Sequence, residues 1–255
     1  MSNLHPVAYE RHGNLRWRRP KNAEFAAKNL LAPLVAVEFP KAVFHMPVAF
    51  IEIGEAFLPF AVQGLTQGKN LYVSPAGEWV GGYVPAVYRA YPFQLAKIDA
   101  EQIVLCIDEA SGLLGTDGET IFNNDGQPAN AVRDTFDFLM QIENNRAATA
   151  KACAVLQKYQ LIQPWPLAVK EGDESQQIEG LCCIDETALN RIAPDAMIEI
   201  RDAGALSMAY CQLLSMHHMP MLVQRAEVRK ETDTRAELAM EFLNNGGTIS
   251  FGDLG

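Results

Sequence analysis

Five histidines are the first residues to ask about chemistry: His5, His12, His45, His217 and His218. His45 stands beside Met46–Pro47, just ahead of an apolar run. No carboxylate lies two residues beyond it, so an H-x-D opening for non-haem iron is missing. His217 and His218 follow the most apolar stretch of the chain. Neighbouring residues on a helix point about 100° apart, so the pair does not readily grip one ion. The simpler role is a helix C-terminus, where imidazole meets the last carbonyls. Asp108 and Glu109 close the run QIVLCI. Acid–base work needs two carboxylates in different environments, whereas a carboxylate at a strand end commonly caps a turn. His45, Asp108 and His217 are therefore the candidate catalytic residues. An enzyme built on them requires that they meet in one cleft, within hydrogen-bond reach of their partners.

A second group points to recognition. The stretch Tyr83–Pro92, YVPAVYRAYP, carries three tyrosines and Arg89, with Trp79 and Phe93 flanking it. Tyrosine and arginine make rigid amphipathic contacts and are enriched where proteins bind partners. Tyr83, Tyr88, Arg89 and Tyr91 are the candidate binding residues. The alternative is that the rings pack the lid of a small sheet, their hydroxyls satisfied by turns. A binding role requires the four to share a groove; scattered burial would defeat it.

Absent motifs narrow the field. There is no phosphate-cradling G-x-x-x-x-G-K-[ST], no G-x-G-x-x-G after a strand and no G-x-S-x-G elbow. Asp125–Gly126 fails the calcium-loop pattern, because Ile121 and Val132 would occupy carboxylate positions. The five cysteines, Cys106, Cys153, Cys182, Cys183 and Cys211, form no C-x-x-C, and free thiols in a reducing compartment are expected. No metal and no cofactor are expected.

The net charge of -10 disfavours nucleic acid. The start of the chain is nevertheless basic: Arg11, Arg16, Arg18, Arg19 and Lys21 surround Trp17. It is either an arm for an acidic partner or a tail folded back on an acidic body. No apolar stretch follows the first charges, so a cytoplasmic location is expected, with surface association by another route left open. The longest apolar runs are broken by proline or glutamate and are too short to span a bilayer.

Residues 1–30 read as an irregular arm and 31–128 as β-rich. Leu34–Phe39, Val48–Ile53, Phe57–Gln63, Asn70–Val73, Phe93–Ile98 and Gln102–Ile107 are short β-branched or aromatic runs between prolines and glycines. They predict a curved antiparallel sheet or small barrel. Residues 129–245 read as mostly helical. Val132, Phe136, Leu139, Met140, Ala147, Ala150 and Ala154 mark a long helix over 129–159. A hairpin is expected near 163–184, with helices beginning at Asp185, Pro194, Leu206 and Pro220. Residues 246–255 form a tail with an isolated apolar pair, Ile249 and Phe251. One compact α+β unit is expected. The apolar segment 206–216 and the tail leave a homo-oligomer open.

The run FAAKNLLAPLVAVEFPKAVFHMPVAF, then NLYV, YVPAVYRAYPFQLA and LCIDEASGLL, followed by CIDETALNRIAPDAMIEIRDAGALSMAYCQLLSM, resembles the bacterial SapC family over about residues 5 to 225. The family name is associated with surface-layer gene regions and serum resistance. The resemblance implies no established catalytic residues. Three functions stay open: a binding or accessory protein for a peptide, protein or small molecule; an enzyme of unfamiliar type acting on peptides or aromatic metabolites; and a surface-layer component.

Overall fold

Pro47 and Gly54 bracket a β-branched and aromatic run that becomes the centre of the main sheet. The computed structural model describes residues 3–98, 102–171 and 174–244. In it Val48–Ile53 pairs along its whole length with Ala56–Val62. Gly54 turns the hairpin at a φ of 64°, which costs glycine little. Three further strands complete an antiparallel sheet in the order Ile162–Pro164, Cys182–Ile184, Val48–Ile53, Ala56–Val62, Leu31–Pro33. A second sheet joins Leu4–Pro6, Ile103–Asp108 and Phe93–Lys97. A third, very short one places Arg16–Trp17 between Leu114–Gly115 and Glu119–Thr120. Leu167–Glu171 and Glu174–Ile178 make a separate hairpin.

The architecture is α+β, with several small sheets in place of a closed barrel. The expected strand Leu34–Phe39 is the main departure. The strand is Leu31–Pro33, and the chain then enters a 3₁₀ turn, Ala36–Glu38, and a short helix, Phe39–Ala42. Two local effects override the β-branched side chains. Pro40 suits a first helical turn, where its missing N–H is not needed. Glu38 reaches back to accept the backbone N–H of Val35 at 3.0 Å, closing the turn. Asn70–Val73 forms no strand either, only an isolated bridge from Val73 to Trp79. Conversely, the arm expected to be irregular supplies two strands. Their partners lie about a hundred residues away, so no local pattern announces them.

The long helix is Asn130–Lys158. Thr149, Ala152, Cys153 and Leu156 bury one face at helical spacing. The C-terminal part has short helices Glu186–Asn190 and Pro194–Asp202, then Ala205–Ser215 and Met219–Asn244. Asp185 caps the first by accepting from the Ala188 N–H at 2.9 Å, and Gly204 turns at a φ of 71° between the second and third. Helix Ala205–Ser215 locks onto the main sheet through polar side chains that are fully buried. Gln212 accepts from the Ile184 N–H at 2.9 Å and donates to the Val48 carbonyl at 3.1 Å, while Ser215 accepts from the Val48 N–H at 2.9 Å. These bonds pair strand groups that burial would otherwise orphan.

The main core gathers residues from Ala23 to Leu222, with Phe39, Phe50, Tyr72, Leu156, Ile200 and Met208 at its heart. Trp17, Phe93, Ile107, Ile121, Phe122 and Val132 form a second cluster beside the short sheets. No described helix is long and apolar enough to cross a membrane. The link at 99–101 and the tail with Ile249 and Phe251 lie outside the described residues.

Candidate functional site

The segment Tyr83–Tyr91 wraps a four-residue helix, Ala86–Arg89, opened by Pro85. Successive side chains of a helix point about 100° apart, so this one turn meets two surroundings that differ in chemistry.

On one side sits Glu38, a carboxylate only 3% exposed. Its Oε1 accepts from the Tyr83 hydroxyl at 2.8 Å and the Ala86 N–H at 2.7 Å. The Arg89 guanidinium stands 3.9 Å away and donates to the Tyr83 hydroxyl oxygen at 3.2 Å. Burial, reinforced by Glu38, pushes the Tyr83 pKa up and keeps the phenol a donor. Thr149 ties the same corner to the long helix by accepting the Ala36 N–H at 2.8 Å. Beyond Glu38 and Thr149 opens a cleft of about 640 Å³ with Leu34, Phe60, Leu95 and Leu139 in its walls. Its charged wall residues Lys97, Glu143 and Arg146 pair with one another, at 2.9 and 3.1 Å.

On the other side, aromatic rings meet cations. Tyr91 stacks on Phe25 with centroids 4.1 Å apart and planes 6° from parallel. Tyr88 meets Phe25 and Trp79 edge-on, each at 5.9 Å. The Tyr88 hydroxyl donates to Gln63 at 2.7 Å and accepts from Asn29 at 3.3 Å. With Trp17 and the strap 19–22 these rings enclose a cleft of about 590 Å³. A second cleft of about 490 Å³ adjoins it and shares Arg19, Lys21, Phe25 and Tyr91. Arg19, Lys21 and Arg89 line the larger cleft against Glu78, so it carries three positive side chains to one negative. Arg19 lies over the Trp17 ring at 5.3 Å and pairs with Glu119 at 3.1 Å. Lys21 makes no ion pair among the described residues. Trp17 is 2% exposed, yet its indole N–H has no partner among the described residues.

Of the four expected binding residues, Tyr88, Arg89 and Tyr91 share this cleft. Tyr83 does not line it; it lies beneath, joined through Arg89. The basic arm lies back on an acidic turn. Arg16 donates to the Gly118 carbonyl at 2.9 Å and Arg18 pairs with Asp117 at 3.3 Å. Arg11 clasps Glu109, which also meets His12 at 3.1 Å and His5 at 3.8 Å. The Arg11 hydrogen bond leads in pulling the Glu109 pKa down to about 2.

His45, Asp108 and His217 line none of the three clefts. Asp108 is a strand-end cap, accepting from the N–H groups of Asn3 at 2.8 Å and Ala110 at 3.0 Å. Burial, reinforced by the nearby Asp108, raises the Tyr91 pKa. His45 packs against Gly82, where an added Cβ would fall 2.4 Å from its Nδ1. His217 donates to the Leu214 carbonyl at a helix end, as its position suggested. His218 is buried, donates from Nε2 to the Val43 carbonyl at 2.8 Å and stands 4.0 Å from the His217 ring. Burial lowers its pKa, with His217 and His45 adding to the effect. Among the described residues no group of three His, Cys, Asp or Glu side chains is placed to hold a metal ion. The described cysteines are free, and burial pushes Cys153 up to about 12 and Cys183 up to about 11, far from nucleophilic thiolates.

Glu38, Phe25 and Trp17 escaped the motif search. A lone glutamate in an apolar run and isolated rings in an arm carry no spacing signal. Only Trp17 among arginines offered a hint.

A family model described as SapC matches residues 7–222 of the chain. No curated protein and no solved structure matches it.

Proposed function

This chain belongs to the SapC family, and from that premise we propose that it is a binding protein that seats an extended peptide segment of a protein partner. The seat is the aromatic cleft between the strap 19–22 and the turn Tyr88–Tyr91. One observation carries this reading: four rings, Phe25, Trp79, Tyr88 and Tyr91, wall one cleft and are held in place before any ligand arrives. Tyr88 is pinned by Gln63 and Asn29, and Tyr91 by its stack on Phe25. Pre-organised rings lose little rotamer freedom on binding, so their buried area converts to affinity. The adjoining cleft, which shares the strap, Phe25 and Tyr91, extends the surface. That shape suits an extended segment better than a compact small molecule, which favours one enclosed pocket.

Selection of random displayed peptides on the purified chain tests this. Enriched peptides are then titrated by calorimetry against the parent, Phe25→Ala and Tyr91→Ala. Loss of about tenfold or more in affinity is expected in both variants, the scale of an interface anchor. Enriched peptides indifferent to both changes would remove this cleft from the function.

A further inference from the structure

Resting on that peptide reading, we infer that the seated segment is acidic, presenting carboxylates to the strap beside an apolar or aromatic residue on the rings. Donors outnumber acceptors in the cleft. Arg19, Lys21, Arg89 and the Trp17 indole offer N–H groups and no acceptor, and Glu78 is the one anionic side chain in the wall. This cationic strip sits in a chain of net charge -10, so it is a local feature and not a reflection of overall composition.

The second observation is the unpartnered Trp17 N–H. A buried donor left without an acceptor is costly. Trp17 lines the cleft, with Arg19 over its ring at 5.3 Å and Phe93 edge-on at 4.9 Å. The Arg19–Glu119 pair is largely exposed, 66% and 45% at the side chains, so little holds Arg19 in place. A carboxylate entering here draws Arg19 and Lys21 onto itself and brings an acceptor to the indole. Arg18, paired with Asp117, does not line this cleft. Short acidic peptides carry few charges within a Debye length of about 10 Å, whereas the body's negative charge repels a long polyphosphate.

The test uses fluorescein-labelled Gly/Ser peptides of about ten residues, each with one Phe and three Glu, Gln or Lys, and a dT oligonucleotide of about ten nucleotides. Binding to the full chain is read by anisotropy at about 20 and 200 mM salt. The Glu peptide is expected to bind about tenfold tighter than the Gln peptide at low salt, with the gap shrinking at high salt. Lys21→Glu is expected to erase the gap between the Glu and Gln peptides. Trp17→Phe keeps a ring and removes the N–H, and is expected to weaken the Glu peptide about threefold. Trp17 packs on Phe93, so this variant disturbs a core contact; the exposed Lys21 therefore decides. Equal binding of Glu and Gln peptides, both abolished by Phe25→Ala, overturns the acidic preference and leaves the peptide cleft standing. Indifference of every peptide to Phe25→Ala overturns the cleft itself. Tighter binding of the oligonucleotide than of the Glu peptide replaces the peptide with nucleic acid and overturns the inference.

Discussion

The two sides of the Tyr83–Tyr91 segment carry similar residue types and opposite bookkeeping of hydrogen bonds. Toward Glu38, the carboxylate draws on Val35, Tyr83, Ala86 and Arg89. Toward the strap, Lys21 and the Trp17 N–H have no partner among the described residues. Matched buried polarity fixes geometry, because every departure breaks a bond in low dielectric. Unmatched polarity at a cleft wall leaves a preference for whatever completes it. The Glu38 side therefore holds the segment, and the strap side is where the proposed recognition falls.

The comparison breaks most visibly at Glu38. Glu38→Ala leaves the Val35 N–H, the Ala86 N–H and the Tyr83 hydroxyl without their acceptor and Arg89 without this counter-ion. The expected cost is about 3–5 kcal/mol, read as a lowered midpoint in denaturant unfolding. A variant as stable as the parent would mean that this side positions nothing. Tyr83→Phe removes two bonds of the same knot, to Glu38 and from Arg89, and should cost about 1–3 kcal/mol. Tyr91→Phe should cost less, since Asp108 keeps the Asn3 and Ala110 N–H groups; equal losses would erase the distinction between the two sides.

The clamp on the arm gives a pH window. Arg11 lowers the Glu109 pKa from the ordinary 4.5 to about 2. A carboxylate with a depressed folded pKa contributes stability that is present above its unfolded pKa. That stability is lost as pH falls from about 4.5 toward 2. Glu109→Gln should flatten this part of the stability–pH profile and lower stability slightly at neutral pH. The effect is small because Arg11 is half-exposed. Denaturant melts at about pH 7, 4.5 and 3 read it, and an unchanged acid slope would show that the clasp contributes nothing to folding. The smallest effect belongs to Lys21→Ala, expected within about 0.5 kcal/mol of the parent in stability. A larger loss would mean that Lys21 is structural and that the strap is not free to recognise.

Much of the fold was legible in the chain. The hairpin Val48–Val62, the helix 130–158 and the cap at Asp185 follow from alternation, helical spacing and side-chain capping, all of which act over a few residues. Leu34–Phe39 misled because its β-branched pattern competes with Pro40 and the Glu38 back-bond, and the local polar contacts prevailed. Of the candidate residues, Tyr88, Arg89 and Tyr91 were visible because aromatic and arginine residues clustered within one turn.

What the sequence by itself determined is what short-range physics determines: the punctuation of strands and helices, the absence of nucleotide, zinc and serine-elbow motifs, and the family resemblance. Tertiary structure alone decided which side of a short helix is sealed and which stays open. Phe25 and Tyr91 stack across sixty-six residues of chain, and Glu38 meets Ala86 across forty-eight. Contacts at such separations depend on how the sheets and the arm pack, and spacing along the chain carries no record of that packing.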